Sequence, residues 1–251
     1  MGATTMLISL LQLPNIRDYH INSFSYICTG GSPISIELQR QIQELMPNAD
    51  IMEGYGLTEC VSQGGAITPM GHFKPGYVGV PNLNDIKIMD LKNRDAEAPV
   101  NEAGEIAIKG PILTKGYWNQ PEETDAVIRD GWFHTGDIGA IDEQGYLQYA
   151  GRLKELIKCS GFSVFPSEVE DLLYRHPAIA EVAVKGVHDP YRGESPKAYV
   201  VLKHGFVDRV TEGDLIEWCK ENMAAYKRPR EFEFVNDLPK SAVGKVLRRL
   251  L

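Results

Sequence analysis

Residues 151–170 read Gly-Arg-Leu-Lys-Glu-Leu-Ile-Lys-Cys-Ser-Gly-Phe-Ser-Val-Phe-Pro-Ser-Glu-Val-Glu and place three cations, Arg152, Lys154 and Lys158, beside a glycine turn at Ser160-Gly161. A second cation site, Gly244-Lys245, lies near the end of the chain. Cations set between glycines suit a protein that binds phosphates in one step and releases them in the next. Two further stretches carry usable groups. In Gly54-Tyr55-Gly56-Leu57-Thr58-Glu59 an aromatic stands between glycines, which let backbone approach a ring closely. The hydroxyl and carboxylate that follow can serve a phosphate and its Mg²⁺; an ordinary glycine turn with a solvated Thr-Glu is the other reading. In Trp132-Phe133-His134-Thr135-Gly136-Asp137 the carboxylate is expected at a tight turn. There it either accepts from a ribose diol, as acidic residues do in dinucleotide sites, or closes an Asx-type turn. Residues 104–111, Gly-Glu-Ile-Ala-Ile-Lys-Gly-Pro, read as a strand and its turn without chemistry.

The elements that must position these groups fall into two textures. Up to about residue 150 the chain is rich in glycine turns and short strands. A buried strand over 26–29 ends at Gly30-Gly31. Leu38, Ile42, Leu45 and Met46 then repeat at helical spacing up to Pro47, giving one strand–turn–helix unit of an α/β layer. From 78 to 149 strands are expected over 86–89, 105–109 and 146–149, a small β-rich subdomain. After Gly151, Ser167 and Glu170 read as a capping box for a helix with Val169, Leu172 and Leu173 on its apolar face. Strands over 182–184, 198–202 and 232–235, and a helix capped by Thr211 and Asp214, complete a compact α+β module. The expected division is 1–150 (an α/β remnant over 1–77 and the β-rich part over 78–150) followed by 151–251, joined by a tight hinge rather than a flexible linker.

Composition narrows the class. The 251 residues are 43% hydrophobic, ample for a packed core, and the net charge is −8. An acidic balance argues against nucleic acid or anionic membrane as the main partner, since both call for a basic surface. No apolar run approaches the roughly 18–20 residues of a membrane span, and no basic segment precedes the first apolar patch as in a signal peptide. Cys28, Cys60, Cys159 and Cys219 form no Cys-x-x-Cys pair, so four buried thiols in a cytoplasmic protein are expected. The six histidines show no metal-ligand spacing. Residues 239–245, Pro-Lys-Ser-Ala-Val-Gly-Lys, lack the Gly-x-x-x-x-Gly-Lys-Ser/Thr pattern of a phosphate loop.

Each stretch alone is weak, but their order is specific. Gly-Gly-Ser-Pro, Gly-Tyr-Gly-Leu-Thr-Glu, Gly-Glu-Ile-x-Ile-Lys-Gly-Pro, Thr-Gly-Asp, Gly-Arg-x-Lys-Glu-x-Ile-Lys-x-x-Gly and Pro-Lys-x-x-x-Gly-Lys follow one another from about residue 29 to 251. This succession resembles the adenylate-forming superfamily of acyl-CoA synthetases, luciferases and adenylation domains, and residues 160–166 look most like the fatty acyl-CoA synthetase branch. The resemblance implies a ligase that joins a carboxylic acid, ATP and coenzyme A through an acyl-adenylate. It places Gly30, Gly31 and Ser32 at the adenine pocket, Tyr55 and Gly56 at the base, Thr58 at the α-phosphate and Glu59 on Mg²⁺. Asp137 and Arg152 would meet the ribose, and Lys245 would bridge carboxylate and α-phosphate during adenylation. Lys154 would be the pivot of a mobile C-terminal domain. Lys158, Ser160 and Gly161 would face the thioester step, and Val61, Gly64 and Gly65 would border the acyl pocket. Family members are about twice as long, and no Ser/Thr/Gly-rich phosphate loop precedes Gly30. The expectation is therefore a C-terminal portion, inactive alone, or half of a split enzyme working with a separate N-terminal half; an acceptor other than coenzyme A is the remaining alternative.

Overall fold

A computed structural model describes all residues except 1, 3, 32, 33, 62, 63, 242 and 243. The fold is mixed α/β and α+β, with several sheets and few helices. It divides into two compact units, Met1–Leu153 and Lys154–Leu251.

In the first unit, α1 (Thr4–Leu11) precedes β1 (Tyr26–Gly30), α2 (Ile36–Leu45) and β2 (Asp50–Tyr55). Ser35 caps α2 by accepting from the Leu38 amide at 3.2 Å, and Leu38, Ile42 and Leu45 line its buried stripe as the spacing predicts. β1 and β2 pair in parallel with Gly30 opposite Gly54, so the two glycine motifs stand side by side. β3 (Ala66–Ile67) and β4 (Val80–Pro81) extend this sheet. A second sheet follows from β5 (Asp85–Met89), β6 (Gly104–Lys109), the short α3 (Pro121–Val127), β7 (Ile128–Arg129), β8 (Trp132–Ile141) and β9 (Leu147–Arg152), in the order β5-β6-β8-β7 with β9 on β8. Ile106, Ile108 and Leu147, all fully buried, join one core cluster on its inner face.

β8 corrects the reading of Asp137. The aromatic run does not end in a tight turn; it continues as a ten-residue strand. Glu105 pairs with Ile138 and Ala107 with His134, so residues 135–137 oppose Ile106 alone. Gly136, at φ +68°, supplies the backbone this bulge requires. The Glu105 carboxylate holds it, accepting from the Gly136 amide at 3.1 Å. Residues 104–111, read as architecture alone, thus shape the Asp137 site.

The second unit is built from β10 (Ile157–Cys159), β11 (Phe162–Val164), α4 (Pro166–Leu173), β12 (Ile179–Asp189), β13 (Gly193–Leu202), α5 (Glu212–Asn222) and β14 (Glu231–Phe234). The strand order is β11-β10-β13-β12, with β14 parallel to β13. Val164, Val169, Leu173, Val184, Ala198, Val200, Leu215 and Cys219, fully buried, fill the space between sheet and helices. Burying one such leucine contributes about 1.5–3 kcal/mol.

The capping box on α5 is present, with Thr211 and Asp214 each accepting from the other's backbone amide. The one expected on α4 is not. Its N-cap is Phe165 with Pro166 in the first turn, a position where proline removes a donor that would be orphaned anyway. Glu170 instead turns to the C-terminal segment: both its oxygens accept from Arg248 Nη2, at 2.8 and 2.7 Å. Cys60, Cys159 and Cys219 are buried as expected, whereas Cys28 is half-buried.

Candidate functional site: a paired Tyr-Asp-Arg cluster and two cation-bearing hairpins

In the first unit, β2, β8 and β9 bring Tyr55, Asp137 and Arg152 together. The Tyr55 hydroxyl donates to Asp137 Oδ2 at 2.9 Å. Asp137 lies opposite Arg152 in the β8–β9 register, and Arg152 Nε stands 3.2 Å from Asp137 Oδ1 as an ion pair. Thr135 Oγ1 accepts from the Asp137 amide at 3.0 Å and fixes the backbone at the bulge. The Asp137 side chain is 6% exposed and that of Arg152 is 42% exposed, so the pair runs from interior to surface. Burial, reinforced by the Asp137 carboxylate, pushes the Tyr55 phenol well above its ordinary range and keeps it a donor at neutral pH.

The glycines around this cluster are shaped by it. A Cβ on Gly65 would stand 2.7 Å from the Tyr55 ring, and one on Gly64 would stand 2.2 Å from the Cys60 carbonyl oxygen and 2.3 Å from Ile112. Their smallness leaves room for the Tyr55 ring and the Cys60 carbonyl. Val61, which follows the short 3₁₀ turn Thr58–Cys60, is 70% exposed at φ +54°. Gly31 is exposed at φ +84°, and a Cβ there would meet nothing. Its glycine identity answers to backbone conformation. Ser32 lies outside the described residues.

Thr58 and Glu59 begin a short 3₁₀ turn after Gly56-Leu57. Thr58 is exposed and Glu59 half-buried. The Tyr117 hydroxyl donates to Glu59 Oε1 at 2.8 Å, and the Glu59 carbonyl accepts from the Thr114 amide at 2.7 Å. Burial, followed by the hydrogen bond to Glu59, pushes the Tyr117 phenol up to about 12. In the sequence, the Gly-Tyr-Trp run over 116–118 is the local signal that Tyr117 carries. A single carboxylate suits Mg²⁺ carried on phosphates, because that ion keeps waters and takes one or two carboxylates. Among the described residues no three His, Cys, Asp or Glu side chains assemble into a metal-binding group.

In the second unit Lys158 and Lys245 belong to two antiparallel pairs, and Lys154 precedes the first. Ser160 (φ +51°) and Gly161 (φ +82°) form a two-residue turn with both central residues left-handed, the geometry that matches strand twist. β10 and β11 flank it, with Lys158 opposite Ser163. Lys158 is exposed; its Nζ donates to Ser163 Oγ at 2.9 Å, and its amide donates to Glu194 Oε2 at 2.7 Å. Lys154 is exposed in the 3₁₀ turn Leu153–Glu155.

In the second of these, Lys240 pairs antiparallel with Val246 and the Leu247 amide donates to the Pro239 carbonyl at 2.7 Å. Lys245 is exposed, beside Gly244 at φ +79°. Beyond it, Arg248 bridges Glu170 and Glu155, reaching Glu155 Oε2 at 3.1 Å. The segment is therefore anchored at its base, not a loose tail.

The family described as "AMP-binding enzyme" matches residues 1–118, and "AMP-binding enzyme C-terminal domain" matches 168–245. A long-chain-fatty-acid–CoA ligase of Bacillus subtilis is 42% identical over the whole chain, which spans 44% of that protein. A 4-coumarate–CoA ligase of Glycine max is 38% identical, with 97% of this chain aligned to 85% of that sequence. Among solved structures, ATP-bound MatB from Rhodopseudomonas palustris superposes with a TM-score of 0.90 at 31% identity, covering all of this chain and 49% of that one. The anthranilate CoA ligase AuaEII in complex with anthranoyl-AMP gives 0.88 at 31% identity, covering 99% and 48%. The chain spans less than half the length of several curated ligases that it matches from end to end. Its sequence and both of its units place it in the family of AMP-binding, adenylate-forming enzymes.

Proposed function

We propose that the chain supplies the C-terminal portion of an AMP-forming acid–thiol ligase that activates a carboxylic acid with ATP and passes the acyl group to coenzyme A. The observation that carries this reading is the joining of Tyr55, Asp137 and Arg152 beside the paired glycines 30 and 54. An aromatic suits the base, and a buried carboxylate paired with a partly exposed guanidinium suits the ribose. Gly30, Gly31, Gly56 and Thr58 border the same nucleotide, Ser32 is assigned there by motif, and Glu59 is the ligand for Mg²⁺. Lys245 offsets the repulsion between an anionic carboxylate and the α-phosphate and stabilises the charge that develops at their junction.

In this reading the second unit turns about Lys154 between half-reactions, so that Lys245 serves adenylation and Lys158, Ser160 and Gly161 face thioester formation. Val61, Gly64 and Gly65 border the acid. The substrate is a long-chain fatty acid, supported by the name of the Bacillus subtilis relative. The coverage of those relatives favours a chain that works with the remaining part of the large domain, covalently or as a separate half. The test is acid-dependent ATP–pyrophosphate exchange across acids of increasing length. The chain alone is expected to show little exchange, and addition of the remaining large-domain segment should restore it with long-chain acids preferred. No exchange in the combined protein with any acid would reject the ligase reading.

A further inference from the structure

We infer that Tyr117 is a positioning residue for the Glu59 carboxylate, and that residues 114–117 form a strap holding that carboxylate ready for a divalent cation. The inference rests on the reading of Glu59 as the cation ligand.

The strap grips Glu59 twice, by backbone and by side chain: the Thr114 amide takes the Glu59 carbonyl and the Tyr117 hydroxyl takes Oε1. The strap is itself fixed. Thr114 Oγ1 accepts from the Gly116 amide and donates to the Gly116 carbonyl, both at 3.2 Å. The Tyr117 amide donates to Thr124 Oγ1 at 2.9 Å, and Thr124 Oγ1 donates to the Gln120 carbonyl at 2.8 Å. Gly116, at φ +137°, packs so closely on Thr124 that a Cβ would stand 2.7 Å from its methyl. The phenol is thus placed by the first turns of α3, through a chain of contacts with little freedom.

A carboxylate has about four lone-pair sites on two oxygens. The phenol occupies one on Oε1, and among the described residues Oε2 takes no hydrogen bond. A neutral donor holds the group without bringing a competing charge, as a lysine would. A glutamate loses considerable rotamer freedom when it binds an ion. Here that loss has been met in advance by the strap.

The experiment uses the chain itself, with Mn²⁺ as a paramagnetic probe and ATP as the phosphate source. Mn²⁺ binding is read by electron spin resonance for the unaltered chain, Glu59→Gln and Tyr117→Phe. Metal-free ATP binding and the melting temperature are measured alongside. The unaltered chain should retain Mn²⁺ only with ATP present. Glu59→Gln should weaken that binding more than tenfold. Tyr117→Phe should weaken it about tenfold, with metal-free ATP affinity and melting temperature unchanged, a selectivity that a merely structural strap would not give. Loss in Glu59→Gln with full binding in Tyr117→Phe overturns the positioning role and leaves Glu59 as ligand. Full binding in Glu59→Gln, or no ATP-dependent Mn²⁺ binding by the unaltered chain, overturns the reading of Glu59 and the inference with it.

Discussion

The two units handle charge in opposite ways. In the first, side chains assigned to the nucleotide and its cation are paired with one another or with a neighbour: Tyr55 on Asp137, Asp137 on Arg152, Glu59 on Tyr117. In the second, the pairing lies underneath, where Arg248 joins Glu155 and Glu170, and the lysines assigned to chemistry stand exposed. The contrast separates two design problems. A pocket that must recognise a nucleotide benefits from donors fixed before the ligand arrives, since ordering them afterwards would weaken binding. A surface that presents a cation needs a rigid base and an exposed side chain above it. In the second unit the pairs of Arg248 with Glu155 and Glu170, and of Lys240 with Glu181, lie at that base.

Three substitutions probe this contrast. The largest effect is expected at an exposed lysine. In a preparation active in acid-dependent ATP–pyrophosphate exchange, Lys245→Ala should lower exchange about 10²–10³-fold while leaving thioester formation from supplied acyl-adenylate and the unfolding midpoint unchanged. Equal loss in both half-reactions would break the contrast by making Lys245 part of the common scaffold.

The converse signature belongs to the base. Glu170 is mostly buried beneath Arg248 and also accepts from the Val184 amide at 2.7 Å. Glu170→Gln should cost the second unit about 2 kcal/mol in denaturant unfolding, with the first unit unaffected. A stability equal to that of the unaltered protein would mean that the network is not what holds the hairpin.

The remaining effect is one of pH. Asp171, half-buried beside that network, has its carboxyl pushed from 3.8 up to about 7, first by burial and then by Glu170, with Arg175 opposing. A carboxyl raised in the folded state contributes stability below its unfolded value, and that contribution is lost as pH rises through the folded value. The stability of the second unit should therefore decline from about pH 4 to pH 7. Asp171→Asn should flatten the decline, as followed by unfolding midpoints across that range. An identical slope in the variant would remove Asp171 as its origin.

Sequence patterning carried the regular elements further than the site. α2, α5 and the strand over 105–109 follow from helical spacing, a reciprocal cap and alternation, all properties of neighbouring residues. Asp137 and Glu170 were misplaced for a common reason. Each satisfies a local rule, an Asx turn or a Ser-x-x-Glu cap, yet is claimed by a partner far along the chain: Tyr55 is 82 residues from Asp137, and Arg248 is 78 from Glu170. Local rules compete with tertiary pairing, and a partly buried charge is drawn to the strongest partner the fold brings within reach. Tyr117 escaped notice because a tyrosine in a loop carries no local signature of the glutamate it holds.

The turn at Ser160-Gly161 has a consequence for how this protein can change. Its two left-handed residues fix the β10–β11 register, and side chains in a strand alternate between faces, so inserting or deleting one residue there would exchange exposed Lys158 for buried Cys159. The hairpin is consequently closed to single-residue drift in length. Divergence at this edge must proceed by replacement, at Ser160 and at the neighbouring exposed Phe162, and the reach of Lys158 is inherited as a fixed quantity while its surroundings vary.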